Sequence, residues 1–240
     1  MRVLVTGSAG FIGQRVVRLL ESQGHKVIEC DVNEDITSPT FLPLADVAIH
    51  LAANKYATDA ESNPYEACTL NIEATQAVLA KVPRVVLAST CKAADPITCY
   101  GASKLICERM VLNAGGTAVR LVNVLGSSGS VTHIWDAVPK DKPIPVTNCW
   151  RMFIEPDDAA SLLVKAIGLP SGRYGPPVPE SVHMDSMAHR LHPGRPISHV
   201  PLRFGDRPVE RLTNEYEQAI PYMGVTRIVD RWEQDVEEAA

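Results

Sequence analysis

A tyrosine and a lysine four residues apart, Tyr100 and Lys104 in Tyr100-Gly101-Ala102-Ser103-Lys104, share one face if the segment is helical. A phenol with a pKa near 10 is a poor base at neutral pH. An ammonium within a few ångströms, joined by a positive nicotinamide ring, favours the phenolate and lowers that value. Upstream, the run Val85-Val86-Leu87-Ala88-Ser89 ends on Thr90. Its hydroxyl can hold a substrate oxygen while Tyr100 removes the proton and hydride leaves for a cofactor. A Y-x-x-x-K spacing arises often by chance. It gains weight from the residues that precede it.

Those residues begin with Gly7-Ser8-Ala9-Gly10-Phe11-Ile12-Gly13, a G-x-x-G-x-x-G run placed where a strand gives way to a helix. Glycine there permits a tight turn, close approach of backbone N–H groups to a pyrophosphate, and packing of helix on strand. The helix N-terminus adds partial positive charge. Asp31 lies eighteen residues past Gly13, where a carboxylate can accept hydrogen bonds from ribose hydroxyls. No Arg or Lys occurs between Asp31 and Lys55, so nothing local neutralises a 2′-phosphate. The expected cofactor is NAD, held by Gly7, Ala9, Gly10, Phe11, Ile12, Gly13 and Asp31, with Tyr100 and Lys104 at its reactive end.

The elements that must position these groups alternate along the chain. Strands are expected over residues 2–6, 26–29, 46–51, 84–89 and 117–124, and helices over 11–23, 66–82 and 100–113. Such alternation marks an α/β fold, a Rossmann-type doubly wound parallel sheet with helices on both faces. Only 14 residues separate Asp31 from Asp46, too few for a crossover helix and a further strand. Asp35 and Ile36 are expected to fold over the adenine, with a surface-loop role open for Asp35. Beyond Gly126 prolines cluster and the periodicity loosens. The expected division is 1–126 plus 151–168 for the dinucleotide-binding domain, and 127–150 plus 169–240 for a small substrate lobe. Glu233, Asp235, Glu237 and Glu238 read as the solvated face of a last helix.

Composition excludes other classes. The 240 residues carry 23 basic and 28 acidic side chains, a formal charge of −5, with 45% hydrophobic content. Disorder is excluded by that balance, and nucleic-acid binding by the lack of a basic stripe. No apolar run approaches a membrane span, and the N-terminus lacks a signal peptide's pattern. A cytoplasmic protein with no membrane partner is expected. The six cysteines form no C-x-x-C pair and no His cluster has zinc spacing, so reduced thiols and no metal are expected.

With these residues in view, the chain resembles the short-chain dehydrogenase/reductase superfamily, in its extended nucleotide-sugar branch. His50-Leu51-Ala52-Ala53 looks like the branch's third-strand signature, which puts Leu51, Ala52 and Ala53 beside the cofactor. Asn63-Pro64-Tyr65-Glu66-Ala67 and Asn71 are similar to its next helix. The stretch from Ser89-Thr90-Cys91-Lys92 to Lys104, the run Asn123 to Ser130, and Leu202-Arg203-Phe204-Gly205-Asp206 resemble polysaccharide-biosynthesis UDP-N-acetylglucosamine 4,6-dehydratases. The resemblance implies a UDP-sugar substrate met by Lys55, Thr90, Asn123, Arg151 and Arg203. A surface ion pair is the competing role for each arginine. The resemblance also implies a homodimer built on the helices at 66–82 and 100–113.

All such enzymes begin with hydride leaving C4 of the sugar. A 4,6-dehydratase then needs a base at C5 and an acid at C6. The family supplies an Asp-Lys pair after the threonine, where this chain has Cys91-Lys92. Lys92 can serve as base if desolvation lowers its pKa, but a thiol is a weaker proton donor than a carboxylic acid. The chemistry therefore leans to a 4-epimerase, which needs only Thr90, Tyr100 and Lys104, while the resemblance leans to dehydration. A non-catalytic NAD-binding module and plain alcohol oxidation with net NADH release also stay open.

Overall fold

The computed structural model describes residues 1–31, 35–177 and 179–231. The first half alternates as expected: β1 (Arg2–Thr6), α1 (Gly13–Ser22), β2 (Lys26–Cys30), β3 (Val47–His50), α2 (Ala57–Ser62), α3 (Pro64–Cys68), α4 (Ala74–Lys81), β4 (Val85–Thr90), α5 (Cys99–Asn113) and β5 (Thr117–Leu121). The second half holds shorter pieces: β6 (Asn123–Val124), α6 (Val131–Ala137), β7 (Ile144–Thr147), β8 (Trp150–Ile154), α7 (Pro156–Lys165), β9 (Gly172–Gly175), β10 (Ser181–His183), α8 (Met184–Leu191), β11 (Ile197–Val200), β12 (Glu217–Tyr222) and β13 (Val225–Asp230).

Eight strands form one sheet in the order β12-β13-β9-β5-β4-β3-β1-β2. From β2 to β9 every pairing is parallel, and β13 and β12 close the far edge antiparallel. Parallel strands are buried on both faces and read as continuous apolar runs, as in β3, where all four residues are buried. Val16, Val17 and Leu20 of α1 pack with Ala159, Leu163 and Val164 of α7 on one face. Ala74, Ala77 and Val78 of α4 pack with Cys107 and Val111 of α5 on the other. Strand order reverses beside β1, since β2 and β3 flank it, and ligands bind at such switch points. The connection from β2 to β3 has no helix or strand among its described residues, as its length requires.

The helix expected over 66–82 runs without interruption from Pro64 to Lys81, as α3 and α4 joined through a π turn at Thr69–Glu73. Two expectations are corrected. The strand expected over 117–124 ends at Leu121, and β6 joins β8 and β10 in a separate sheet. The small lobe is narrower than expected, because β9, β12 and β13 extend the large sheet. What remains of it is built on Trp135, Ile144, Val146, Cys149, Met184 and Met187. The expected acidic last helix lies outside the described residues.

Candidate active site

The glycine turn is held by its own packing. Gly7 has φ +71°, and a Cβ there would come within 2.9 Å of the Ala52 amide nitrogen. A Cβ on Gly13 would stand 2.1 Å from the Gly7 carbonyl oxygen. The turn is closed by the Gly10 amide donating to Gly7 O at 3.1 Å, and the Ala9 amide donates to Asp31 Oδ2 at 2.6 Å. A cavity of about 760 Å³ opens above it, at the carboxyl ends of the strands. Gly7, Gly10, Phe11, Ile12 and Gly13 form its floor, and Asp31 and Ile36 one end. Leu51, Ala52, Ala53 and Lys55 form a side wall. Backbone donors, a helix N-terminus and an acid at the end of the second strand fit a dinucleotide. Asp35 lies outside the cavity lining and accepts from Thr37 N and Oγ1, which lowers its pKa. It is a turn residue.

Thr90, Lys92, Tyr100, Lys104 and Asn123 line the other end of the same cavity. Close packing brings Tyr100 there: Gly101 lies against the Lys92 backbone, where a Cβ would meet the carbonyl oxygen at 2.7 Å. Thr98 Oγ1 caps α5 by accepting from Gly101 N at 3.1 Å. Burial pushes the Tyr100 phenol up to about 12, while Lys92 and the Thr90 hydroxyl pull it back. Burial lowers the pKa of Lys104, opposed by Cys107 and Glu108. Behind Lys104, His50 is kept neutral, its pKa pushed to about 3 by burial and next by that ammonium. The imidazole is held between Thr6 Oγ1 at 2.7 Å and Thr75 Oγ1 at 3.2 Å.

Besides Ala9 and Asp35, three expected residues lie outside this lining. Cys91 lines a neighbouring cavity of about 680 Å³, and burial followed by the Glu210 carboxylate pushes its thiol up to about 11. Arg151 is buried and turned inward, donating from Nη1 to Arg207 O at 2.7 Å and to Trp150 O at 2.9 Å. Arg203 is exposed. Among the described residues no cluster of His, Cys, Asp or Glu is placed to hold a metal ion, and no helix is long and apolar enough to cross a membrane. No disulfide joins any of the six cysteines.

Residues 30–227 match the model of the polysaccharide biosynthesis protein family. The chain belongs to this family. It is 33% identical over 211 residues to a probable polysaccharide biosynthesis protein, EpsC, of Bacillus subtilis, covering 77% of this chain and 35% of that one. It is 28% identical over 214 residues to an inverting UDP-N-acetylglucosamine 4,6-dehydratase of Campylobacter jejuni, covering 78% and 64%. The chain thus spans between about a third and two thirds of the length of these relatives. Among solved structures, Pen from Bacillus thuringiensis superposes with a TM-score of 0.83 over 95% of this chain and 87% of that chain, at 23% identity. That likeness is one of fold.

Two residues of this family member escape sequence reasoning about roles. Asn71, in the π turn, accepts from Asn54 N at 2.8 Å and donates to Ser103 Oγ at 2.9 Å. It ties the cavity wall to the residue before Lys104, and π turns recur at functional sites. Glu210 is buried against Lys92 and Asn123. Its only signal in the sequence is its place just beyond the Leu202–Asp206 run.

Proposed function

We propose that this chain binds NAD and inverts C4 of a UDP-hexose through a 4-keto intermediate. The supporting observation is the continuous cavity that runs from the glycine turn and Asp31 to Thr90, Tyr100 and Lys104. Bound NAD supplies a reversible acceptor for the hydrogen carried on C4. The turn's amides hold the diphosphate, and Asp31 takes the ribose hydroxyls. Tyr100 accepts the proton of the C4 hydroxyl, Thr90 orients that oxygen, and Lys104 adds positive charge behind the phenol. Asn123 and Lys55 face the sugar nucleotide.

Elimination across C5 and C6 would need a further base and acid. The position after Thr90 carries a neutral thiol that faces the neighbouring cavity, and Lys92 is ion-paired with Glu210. Both facts favour epimerisation. The dehydratase reading keeps one observation, Lys92 on the wall beside Tyr100, together with the name of the Campylobacter relative.

The deciding experiment incubates the protein and NAD with UDP-glucose, UDP-galactose and UDP-N-acetylglucosamine, then reads the products by mass spectrometry and proton NMR. Unchanged mass with inverted C4 coupling is expected. A product lighter by one water selects the dehydratase, and stoichiometric NADH selects plain oxidation. Tight NAD binding with every sugar nucleotide untouched would leave a binding module. A homodimer belongs to the same reading, supported by Tyr65 (80% exposed) and Ile106 (47%) on the helices expected to pair. Light scattering at micromolar concentration checks it. Six cysteines without a disulfide suit a reducing, cytoplasmic setting.

A further inference from the structure

Glu210 is delivered by backbone pairing to the edge of β8. Trp150 N donates to Pro208 O at 2.8 Å, and Glu210 N to Trp150 O at 3.4 Å. Its side chain is almost fully buried and both oxygens are engaged. Oε1 pairs with Lys92 Nζ, and Oε2 accepts from Asn123 Nδ2 at 2.6 Å. Asn123 Nδ2 also donates to Met152 O at 3.0 Å, which fixes the amide from both sides. Arg151 Nε stands 3.7 Å from Oε1. Lys92 and Asn123 are both on the cavity wall, whereas Glu210 stands behind them.

We infer that Glu210 is a positioning residue, which holds Lys92 as a permanent cation on the Tyr100 wall of the cavity and holds the Asn123 amide beside it. Lys92 then serves the reaction as fixed positive charge and not as a proton acceptor. The inference rests on the reading of Tyr100 as the proton acceptor of this site, and it deepens that reading by removing the base that elimination at C5 would use.

The groups facing Lys92 agree. Burial works against its ammonium, but the Glu210 carboxylate and, from the same loop, that of Asp206 outweigh it, and the net direction is upward. Cys91, next to it in the chain, is a neutral thiol, and Tyr100 approaches from α5 as a neutral phenol. Arg151, from β8, reaches both Glu210 and Asp206, the latter at 3.7 Å. Lys92 and Arg151 thus balance Glu210 and Asp206, two cations against two carboxylates. Neutralising Glu210 leaves the cations in excess and releases the Lys92 proton more easily. Glu210 itself stays ionised: burial raises its pKa, and Lys92 followed by Arg151 brings it below the ordinary value.

The test uses the full chain with Glu210→Gln, Lys92→Arg and the two combined. The first readout needs neither cofactor nor substrate. In protein carrying ¹³C at the lysine ε position, the Lys92 resonance is assigned by its loss in Lys92→Arg and followed through pH. Its midpoint should lie above the ordinary lysine value and fall by roughly one pH unit or more in Glu210→Gln. The second readout is turnover against pH. Glu210→Gln should lose rate on the alkaline side at the lowered midpoint, about tenfold per pH unit. Lys92→Arg/Glu210→Gln should recover that limb, because a guanidinium keeps its charge unaided.

A Lys92 midpoint unmoved by Glu210→Gln overturns the inference. So does a double variant that loses alkaline rate as the single one does. If Glu210→Gln fails to fold, Glu210→Asp is read instead, with a smaller downward movement of the midpoint expected and none overturning the proposal. Should no UDP-sugar turn over, the lysine titration still decides on Glu210, while the functional reading fails by itself.

Discussion

Tyr100 enters the cavity as a neutral phenol, with burial holding its pKa near 12 against Lys92 and Thr90. Its strength as a base must come from positive charge added when cofactor and substrate close the site. Turnover should therefore rise with pH through the phenol's pKa in the complex, since the phenolate is the active form. Tyr100→Phe removes that oxygen alone and should cost about 10²- to 10⁴-fold in turnover, with NAD affinity little changed in a binding titration. Normal turnover would remove Tyr100 from the chemistry. Cys91→Ala should leave product and rate within about threefold and cost about 1 kcal/mol in chemical denaturation, because its buried thiol lines the neighbouring cavity and not the one that holds Tyr100. The sequence places Cys91 and Lys92 side by side after Thr90 and makes both candidates. Both line the neighbouring cavity, and only Lys92 also reaches the cavity of Tyr100, the two being set in a 3₁₀ turn at Cys91–Ala93 whose successive side chains point about 120° apart. Glu210 stands 118 positions from Lys92, and no local pattern joins residues at that separation.

The element that carries Tyr100 and Lys104 is anchored by buried charge. On α5, Glu108 accepts from Ser89 Oγ at 2.5 Å and from Arg120 Nη2 at 2.8 Å. Arg120 Nη1 donates to Glu217 at 2.6 Å. Arg173 pairs with Glu217 and, at 2.6 Å, with Asp230. One network thus ties α5 to β4, β5, β9, β12 and β13. Arg120→Met leaves the buried Glu108 without a cation and Glu217 with Arg173 alone, and should cost about 3–5 kcal/mol, read as a shifted urea midpoint. Burial raises the Asp230 pKa, but Arg173 and then Arg109 bring it below its ordinary value of 3.8. A lowered folded-state value stabilises above the unfolded pKa and is lost as pH falls through the folded one. Melting temperature should drop on acidification below about pH 4, less steeply in Asp230→Asn. These same strands are where sequence reading stops. β9 is Gly-Arg-Tyr-Gly with its arginine buried, so its core is ionic and no apolar period shows. β12 carries Pro221, which an edge strand admits and a central one does not. Strands β1, β3 and β4 were legible because burial on both faces made them apolar runs.

At the scale of the whole molecule, the cavity sits where strand order reverses, and it is bounded by residues from Gly7, just after β1, to Ser127, in the turn after β6. A ligand filling it bridges segments that must all be folded, so binding adds to global stability. At a hundredfold excess over Kd the gain is about 2.7 kcal/mol. A domain of this size moves by about 2–4 °C per kcal/mol, so saturating NAD should raise the melting temperature by roughly 5–11 °C. NADP at the same concentration should do far less, because Asp31 lines the cavity and no arginine or lysine lies between it and Lys55 to meet a 2′-phosphate. Asp31→Asn should shrink the NAD shift, by losing ribose hydrogen bonds, and leave the NADP shift no smaller. Equal shifts for the two dinucleotides would mean that Asp31 does not face the ribose. Gly13→Ala should abolish both shifts and lower the unliganded melting temperature, since its Cβ meets the Gly7 carbonyl at 2.1 Å and the turn must open to admit it.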